Sequence, residues 1–146
     1  MSKFKKIEKL EISLKEIRSV DYEFLYQLLT ERKSTINISH KNTPTYGQHI
    51  KFIKSKPYLK WYIIIYDVEK VGTIYLTKSN EIGIFFKKSY IGKGIGKIAL
   101  NLFYKKIPRS NYYANVNPKN IQSIRFFKSN GFKLKKLVFE YRKKSK

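Results

Sequence analysis

The sequence contains no cysteine. That excludes disulfides, thiolate metal sites and any covalent route through a thiol nucleophile. Two histidines, His40 and His49, are too few for a structural zinc site, so no metal is expected. Acidic side chains are scarce as well: 10 Asp and Glu stand against 32 Lys and Arg, a formal net charge of +22. Such a field draws anions and repels polycations. The lysines are spread along the chain and do not gather in a stripe, which argues against a specific nucleic-acid surface. The longest apolar run, Trp61 to Tyr66, cannot span a bilayer, and the opening MSKFKKIEKLEI is charged where a signal peptide is apolar. A soluble cytoplasmic protein without membrane insertion is the expectation.

What is present suffices for one packed domain over residues 1–146, with a basic tail at 142–146. Aromatic residues are plentiful: 12 Tyr, 10 Phe and one Trp. Leu10 to Leu14 alternates as a strand. Ser19 reads as the cap of a helix that buries Leu25, Leu28 and Leu29 and ends near Arg32 or Lys33. A polar, turn-rich stretch from Ser34 to Pro44 precedes a second helix, Tyr46 to Lys54, ended by Pro57. Trp61 to Asp67 and Val71 to Thr77 form a hairpin, and Ser79-Asn80 turns the chain into a central strand. A helix to about Lys106, a strand from Tyr112 to Val116, and a helix through Ile121, Ile124 and Phe127 follow. Gly131 closes that helix, and Phe132 to Tyr141 is expected to supply one or two last strands.

The chain turns on Glu81 to Leu100, EIGIFFKKSYIGKGIGKIAL. An apolar strand runs through a glycine-spaced basic turn straight into a helical pattern carried by Ile95, Ile98, Ala99 and Leu102. Glycines at a helix entrance let an anion reach the unpaired N–H groups of the first turn, and Lys93 and Lys97 add charge there. The spacing fits neither common phosphate loop. Lys97 stands where the dinucleotide fingerprint needs its third glycine, and Ile98 where the P-loop needs Ser or Thr.

The segment Ile91-Gly92-Lys93-Gly94-Ile95-Gly96 does resemble the acetyl-CoA-binding motif of the GCN5-related N-acetyltransferases, with Ile91 in place of the usual Arg or Gln. A second segment, NPKNIQSIRFFKSNGF from Asn117 to Phe132, is similar to that superfamily's other signature. The resemblance implies an α/β (α+β) fold in the order β-α-α-β-β-β-α-β-α-β. It implies a central, mixed but mostly antiparallel sheet of six or seven strands, with about four helices on its two faces. It implies acetyl-CoA as cosubstrate and direct transfer of the acetyl group to a primary amine. The pyrophosphate would lie on residues 91–97, a backbone N–H within Ile84, Phe85 and Phe86 would hold the thioester oxygen, and Asn120 would contact the pantetheine arm. Many relatives carry at position 127 a Tyr that protonates the departing thiolate; here it is Phe127, expected to pack against the cosubstrate.

Three residues are candidates for the base that deprotonates the amine: Glu81 at the start of the central strand, and His49 and His40 flanking the variable region. Each has a plain structural counterpart, as a strand residue, a packing residue and a loop residue respectively. Asn120 has one too, as a helix cap. The stretch INISHKNTPTYGQHIKF with the Trp-containing strand is similar to enzymes that acetylate amino sugars of nucleotide-linked sugars for bacterial surface glycans, and also to those that acetylate N-termini of ribosomal proteins. An anionic nucleotide-sugar suits a +22 protein better than a basic ribosomal protein. A basic nucleic-acid-binding module and a CoA-binding protein without turnover are the alternatives of other classes. A monomer or a homodimer is expected.

Overall fold

The computed structural model describes residues 11–36 and 43–144. His40 and the start of the expected first strand, Leu10, lie outside the described residues. Four strands, β1 (Ile12–Glu16), β2 (Lys60–Tyr66), β3 (Glu69–Leu76) and β4 (Ile82–Phe86), join four helices, α1 (Tyr22–Ile36), α2 (Tyr46–Lys54), α3 (Ile95–Lys106) and α4 (Ile121–Ser129). The strands form one sheet in the order β1-β2-β3-β4, antiparallel at every pairing.

Helices cover both faces of this sheet. On one, Tyr62, Ile64, Ile74 and Leu76 pack against Ile95, Ala99, Leu100 and Phe103 of α3. On the other, Ile63 packs with Leu25 of α1 and Ile53 of α2. Ile64, Ile74 and Phe103 are completely buried, and a side chain of that kind stabilises the fold by about 1.5–3 kcal/mol. The sheet is thus clamped between α1 with α2 and α3, and its two faces have separate cores.

Local chemistry explains the helix starts. Thr45 and Gln48 cap α2 reciprocally: Thr45 Oγ1 accepts the Gln48 N–H at 3.1 Å, and Gln48 Oε1 accepts the Thr45 N–H at 2.9 Å. Ser19, in contrast, is not the cap of α1. The Asp21 carboxylate accepts the Arg18 N–H at 2.8 Å and winds residues 19–21 into a 3-10 turn, so that α1 begins at Tyr22. Asp21 is buried and meets Lys70 Nζ at 2.6 Å, which ties this turn to β3.

The expected six or seven strands are corrected to four among the described residues. Of Tyr112 to Val116 only Tyr113 pairs, in a single parallel bridge to Glu81, before the chain diverges from β4. Phe132 to Tyr141 forms no strand; from Lys133 onward the side chains are exposed, Phe139 at 88 % and Tyr141 at 89 %. Both stretches have strand composition, but a strand exists only where a partner backbone lies alongside.

Candidate active site

β4 is the element on which the site is built. Its odd positions bond to β3: Gly83 is opposite Tyr75, Phe85 opposite Thr73, and Lys87 N–H donates to Val71 O at 2.9 Å. Antiparallel alternation therefore turns the N–H and C=O groups of Ile82, Ile84 and Phe86 to the other side. Ile82 N–H is used there, donating to Tyr113 O at 2.7 Å. Past that bond the neighbouring chain has diverged, and Ile84 and Phe86 have no backbone partner among the described residues. Phe85 N–H is spent on β3. Of the three residues expected to offer a backbone donor, two present one and the middle one does not.

Immediately after β4 the chain makes a 3-10 turn, Lys88–Tyr90, and enters the glycine loop. Tyr90 anchors the entrance, since its hydroxyl donates to Glu69 Oε2 at 2.6 Å and its ring meets Tyr66 edge-on. That bond, joined by burial and the Glu69 charge, raises the Tyr90 pKa above the ordinary phenol value of 10.0. The anchor is therefore complete below the ordinary value and is lost only as the pH climbs through the raised one. Gly92 and Gly94 have φ of 78° and 82°, the left-handed region that glycine enters without strain, and a Cβ on either would meet nothing within 4 Å. Gly94 is the N-cap of α3 with no side-chain cap, so the first N–H groups of a 12-residue helix face this open space. Ile91, Lys93 and Lys97 are exposed around it, while Ile95 is buried and roots the helix in the core.

Gly96 is a different kind of glycine. Its missing Cβ would lie 2.5 Å from Phe126 Cε1 on α4, so it is small to let α4 close on α3. Asn120 is the cap of α4, its Oδ1 accepting the Ser123 N–H at 3.1 Å, and its Nδ2 makes no hydrogen bond among the described residues. Phe127 is 7 % exposed and packs edge-on against Phe126 and Phe132, inside the core. Phe127→Ala should therefore lower the unfolding free energy by about 3 kcal/mol or more in urea titration. A change under about 1 kcal/mol would remove Phe127 from the core.

Of the base candidates, His49 is buried on α2 with its ring 5.4 Å from Tyr26. Glu81 is half-buried, and its backbone is fixed by Thr77, whose Oγ1 accepts the Glu81 N–H at 3.0 Å. By strand alternation Glu81 shares a sheet face with Gly83, Phe85, Tyr75 and Trp61, the face toward α1 and α2. No hydrogen bond or ion pair joins Glu81 to His49: the Glu81 backbone is held by Thr77, and His49 packs on Tyr26.

The sequence pattern of the Acetyltransferase (GNAT) family matches residues 22–132, most of the chain. The chain belongs to that family. No curated protein matches it. Among solved structures it is similar to a domain from Methanocaldococcus jannaschii, at 26% identity and TM-score 0.78 over 88% of this chain and 92% of that one. It is similar to a ribosomal-protein alpha-N-acetyltransferase in complex with coenzyme A, at 18% identity and TM-score 0.70 over 90% of this chain and 86% of that one. It is also similar to an aminoglycoside acetyltransferase from an uncultured soil metagenomic sample in complex with trehalose, at 13% identity and TM-score 0.62 over 94% and 98% of the two chains.

Acetyl-CoA is the acyl donor of this acetyltransferase, and the residues fit it. A Cβ on Gly92 or Gly94 would meet none of the described residues within 4 Å, a helix N-terminus opens there, and strand backbone unpaired among the described residues lies a few residues earlier in the chain. No group of side chains among the described residues could hold a metal ion. No helix among them is long and apolar enough to cross a membrane. Tyr75 comes close over Gly83, where a Cβ would meet its phenol ring, and stacks with Tyr58, which in turn meets Trp61; a glycine inside a strand is the sequence signal of such a close approach.

Proposed function

We propose that this acetyltransferase transfers the acetyl group of acetyl-CoA to the primary amine of an amino sugar carried on a nucleotide, by direct attack in a ternary complex. The observation that carries the donor side of this reading is the succession, within residues 82–95, of unpaired β4 backbone and a left-handed glycine loop opening on a helix N-terminus. In this reading Gly92 to Ile95, with Lys93 and Lys97, receive the diphosphate. Asn120 caps α4 through Oδ1 and offers Nδ2 to the pantetheine arm. The Ile84 or Phe86 N–H stabilises the thioester oxygen as it gains negative charge.

Acetyl-CoA supplies an acetyl group activated as a thioester. Glu81 takes a proton from the acceptor ammonium, the free amine forms the N–C bond, the C–S bond breaks to leave CoA as thiolate, and the second proton of the attacking amine passes to that thiolate. Thiols ionise with a pKa of about 8.5, so this leaving group needs no dedicated acid, consistent with Phe127 standing in the core. An anionic acceptor is favoured by the net charge of +22. A sugar acceptor is supported by the aminoglycoside acetyltransferase bound to trehalose. The similarity to the ribosomal-protein enzyme supports an N-terminal amine as the second reading.

Isothermal calorimetry tests the donor site. Acetyl-CoA should bind in low salt and lose affinity several-fold as ionic strength rises to about 0.5 M, because part of the attraction is between exposed charges. Absence of binding in low salt would overturn the reading.

A further inference from the structure

We propose that an aromatic wall on the α1/α2 face of the sheet is the acceptor surface, taking an amino sugar with its ring laid against the aromatic rings, and that the Tyr75 hydroxyl is a positioning group for the amine. The inference rests on the N-acetyltransferase reading above and adds the residues that choose the acceptor.

The wall is assembled from five elements or connections. Phe52 comes from α2, Tyr58 from the segment after it, Trp61 from β2, Tyr75 from β3 and Phe85 from β4. Tyr58 and Tyr75 stack in parallel with centroids 3.7 Å apart, and Trp61 meets Tyr58 edge-on at 4.7 Å. Phe52 closes on Trp61 at 6.4 Å and Phe85 on Tyr75 at 6.2 Å. This is no ordinary core: Phe52 is 45 % exposed, and the other four are only half-buried. Trp61 is pinned at the wall's centre. Trp61 Nε1–H donates to Thr73 Oγ1 at 2.8 Å, and that hydroxyl donates to Tyr62 O at 2.8 Å from a buried position. A surface fixed in this way loses little entropy when a ligand settles on it.

Tyr75 links the wall to the chemistry. In the β3–β4 register it lies opposite Gly83, and its phenol tip occupies the place where a Cβ of residue 83 would be. Only glycine at 83 permits this. The hydroxyl therefore sits over β4 between Glu81 and Phe85 on the shared face, one residue from the unpaired Ile84 N–H. It makes no hydrogen bond among the described residues. A phenol there can accept from an amine while Glu81 takes the proton.

The chemistry of the wall selects its ligand. The C–H face of a sugar ring is weakly positive and complements the negative faces of aromatic rings, and an arriving ammonium gains a cation–π attraction. A peptide acceptor would want a strand edge or a backbone groove, and this face offers rings. Lys51, Lys54, Lys56 and Lys60, all exposed, flank Phe52, Tyr58 and Trp61 along the chain and suit an anionic carrier.

Trp61 is the single tryptophan, so its emission reports the wall directly. The probes are a uridine-diphosphate-linked 4-amino sugar, free glucosamine and a short peptide with a free N-terminus, titrated in the presence and absence of CoA. The linked sugar should change Trp61 emission saturably. Tyr58→Ala should weaken that binding roughly tenfold while calorimetric acetyl-CoA affinity stays unchanged. Phe52→Ala serves the same purpose at a more exposed ring if Tyr58→Ala does not fold. Tyr75→Phe, which keeps the ring and removes one oxygen, should lower kcat by roughly tenfold or more with a smaller change in KM. No emission change with either sugar, in a protein that binds acetyl-CoA, would overturn this inference and leave the acetyltransferase reading standing. Response to the peptide alone would overturn the sugar, and loss of acetyl-CoA binding as well would overturn both.

Discussion

Gly94→Val is expected to abolish acetyl-CoA binding in a protein that still folds, whereas Gly96→Val is expected to damage the fold first. The two glycines are two residues apart and do opposite things. Gly94 has φ of 82° and open space beyond its Cα. Valine there costs about 1–2 kcal/mol of left-handed strain and projects a branched side chain into the space before the helix N-terminus. Affinity should fall at least about 100-fold, since the N–H groups it shields are those a diphosphate needs. At Gly96 the same side chain runs into Phe126. Overpacking there should cost about 1–3 kcal/mol and lower the Tm by several degrees as α4 is pushed off α3. Calorimetry and thermal unfolding on both variants separate the cases. A Gly96→Val protein of unchanged Tm that has lost acetyl-CoA would move the anion site into the helix, and a Gly94→Val protein that binds normally would remove it from the loop.

Glu81→Gln should lower turnover by about 10²–10⁴-fold at saturating substrates, with acetyl-CoA affinity unchanged. The substitution keeps shape and removes the basic oxygen. Because the strand start is held through the Glu81 backbone by Thr77, the fold should not notice. His49→Ala is the informative contrast. His49 is a buried packing partner of Tyr26, so its loss should appear in unfolding as about 1–3 kcal/mol and only a few-fold in turnover of the folded enzyme. Were Glu81→Gln to keep activity within a few-fold while His49→Ala lost it, the proton would leave through α2 and not β4.

Where the sequence was informative, the controlling interaction was local. The bounds of α2 follow from Thr45, Gln48 and the nearby Pro57, all within a few residues of the ends they set. Gly131, with φ of 92°, closes α4 as its position after the apolar stripe suggests, and Phe132 N–H returns to Phe127 O at 2.9 Å. Even a local competition could mislead, as when Asp21 and not Ser19 organised the entry to α1. What stayed hidden was set by partners distant in the chain. Nothing in residues 112–116 tells that Tyr113 alone will find β4, and the separation that follows is what frees Ile84 and Phe86. The distinct tasks of Gly94 and Gly96 depend on Phe126, thirty residues on. The aromatic wall joins residues 52 to 85 through sheet register, which hydrophobic periodicity does not encode.

The exposed stretch after α4 bears on how copies of this enzyme behave together in solution. Leu134, Leu137, Val138, Phe139 and Tyr141 stand in solvent on chain without regular secondary structure, a composition that invites edge-to-edge pairing and precipitation. They are interleaved and followed by Lys133, Lys135, Lys136, Arg142, Lys143 and Lys144, with Glu140 the one opposing charge. Two such tails repel before their apolar groups can meet, so these lysines act as gatekeepers and the large net charge works as a colloidal stabiliser. That protection is electrostatic and shrinks with the Debye length, about 10 Å at 0.1 M and about 3 Å at 1 M. Concentrated stocks are accordingly safest in dilute buffer, and the salt that weakens donor binding also brings the molecules closer to self-association.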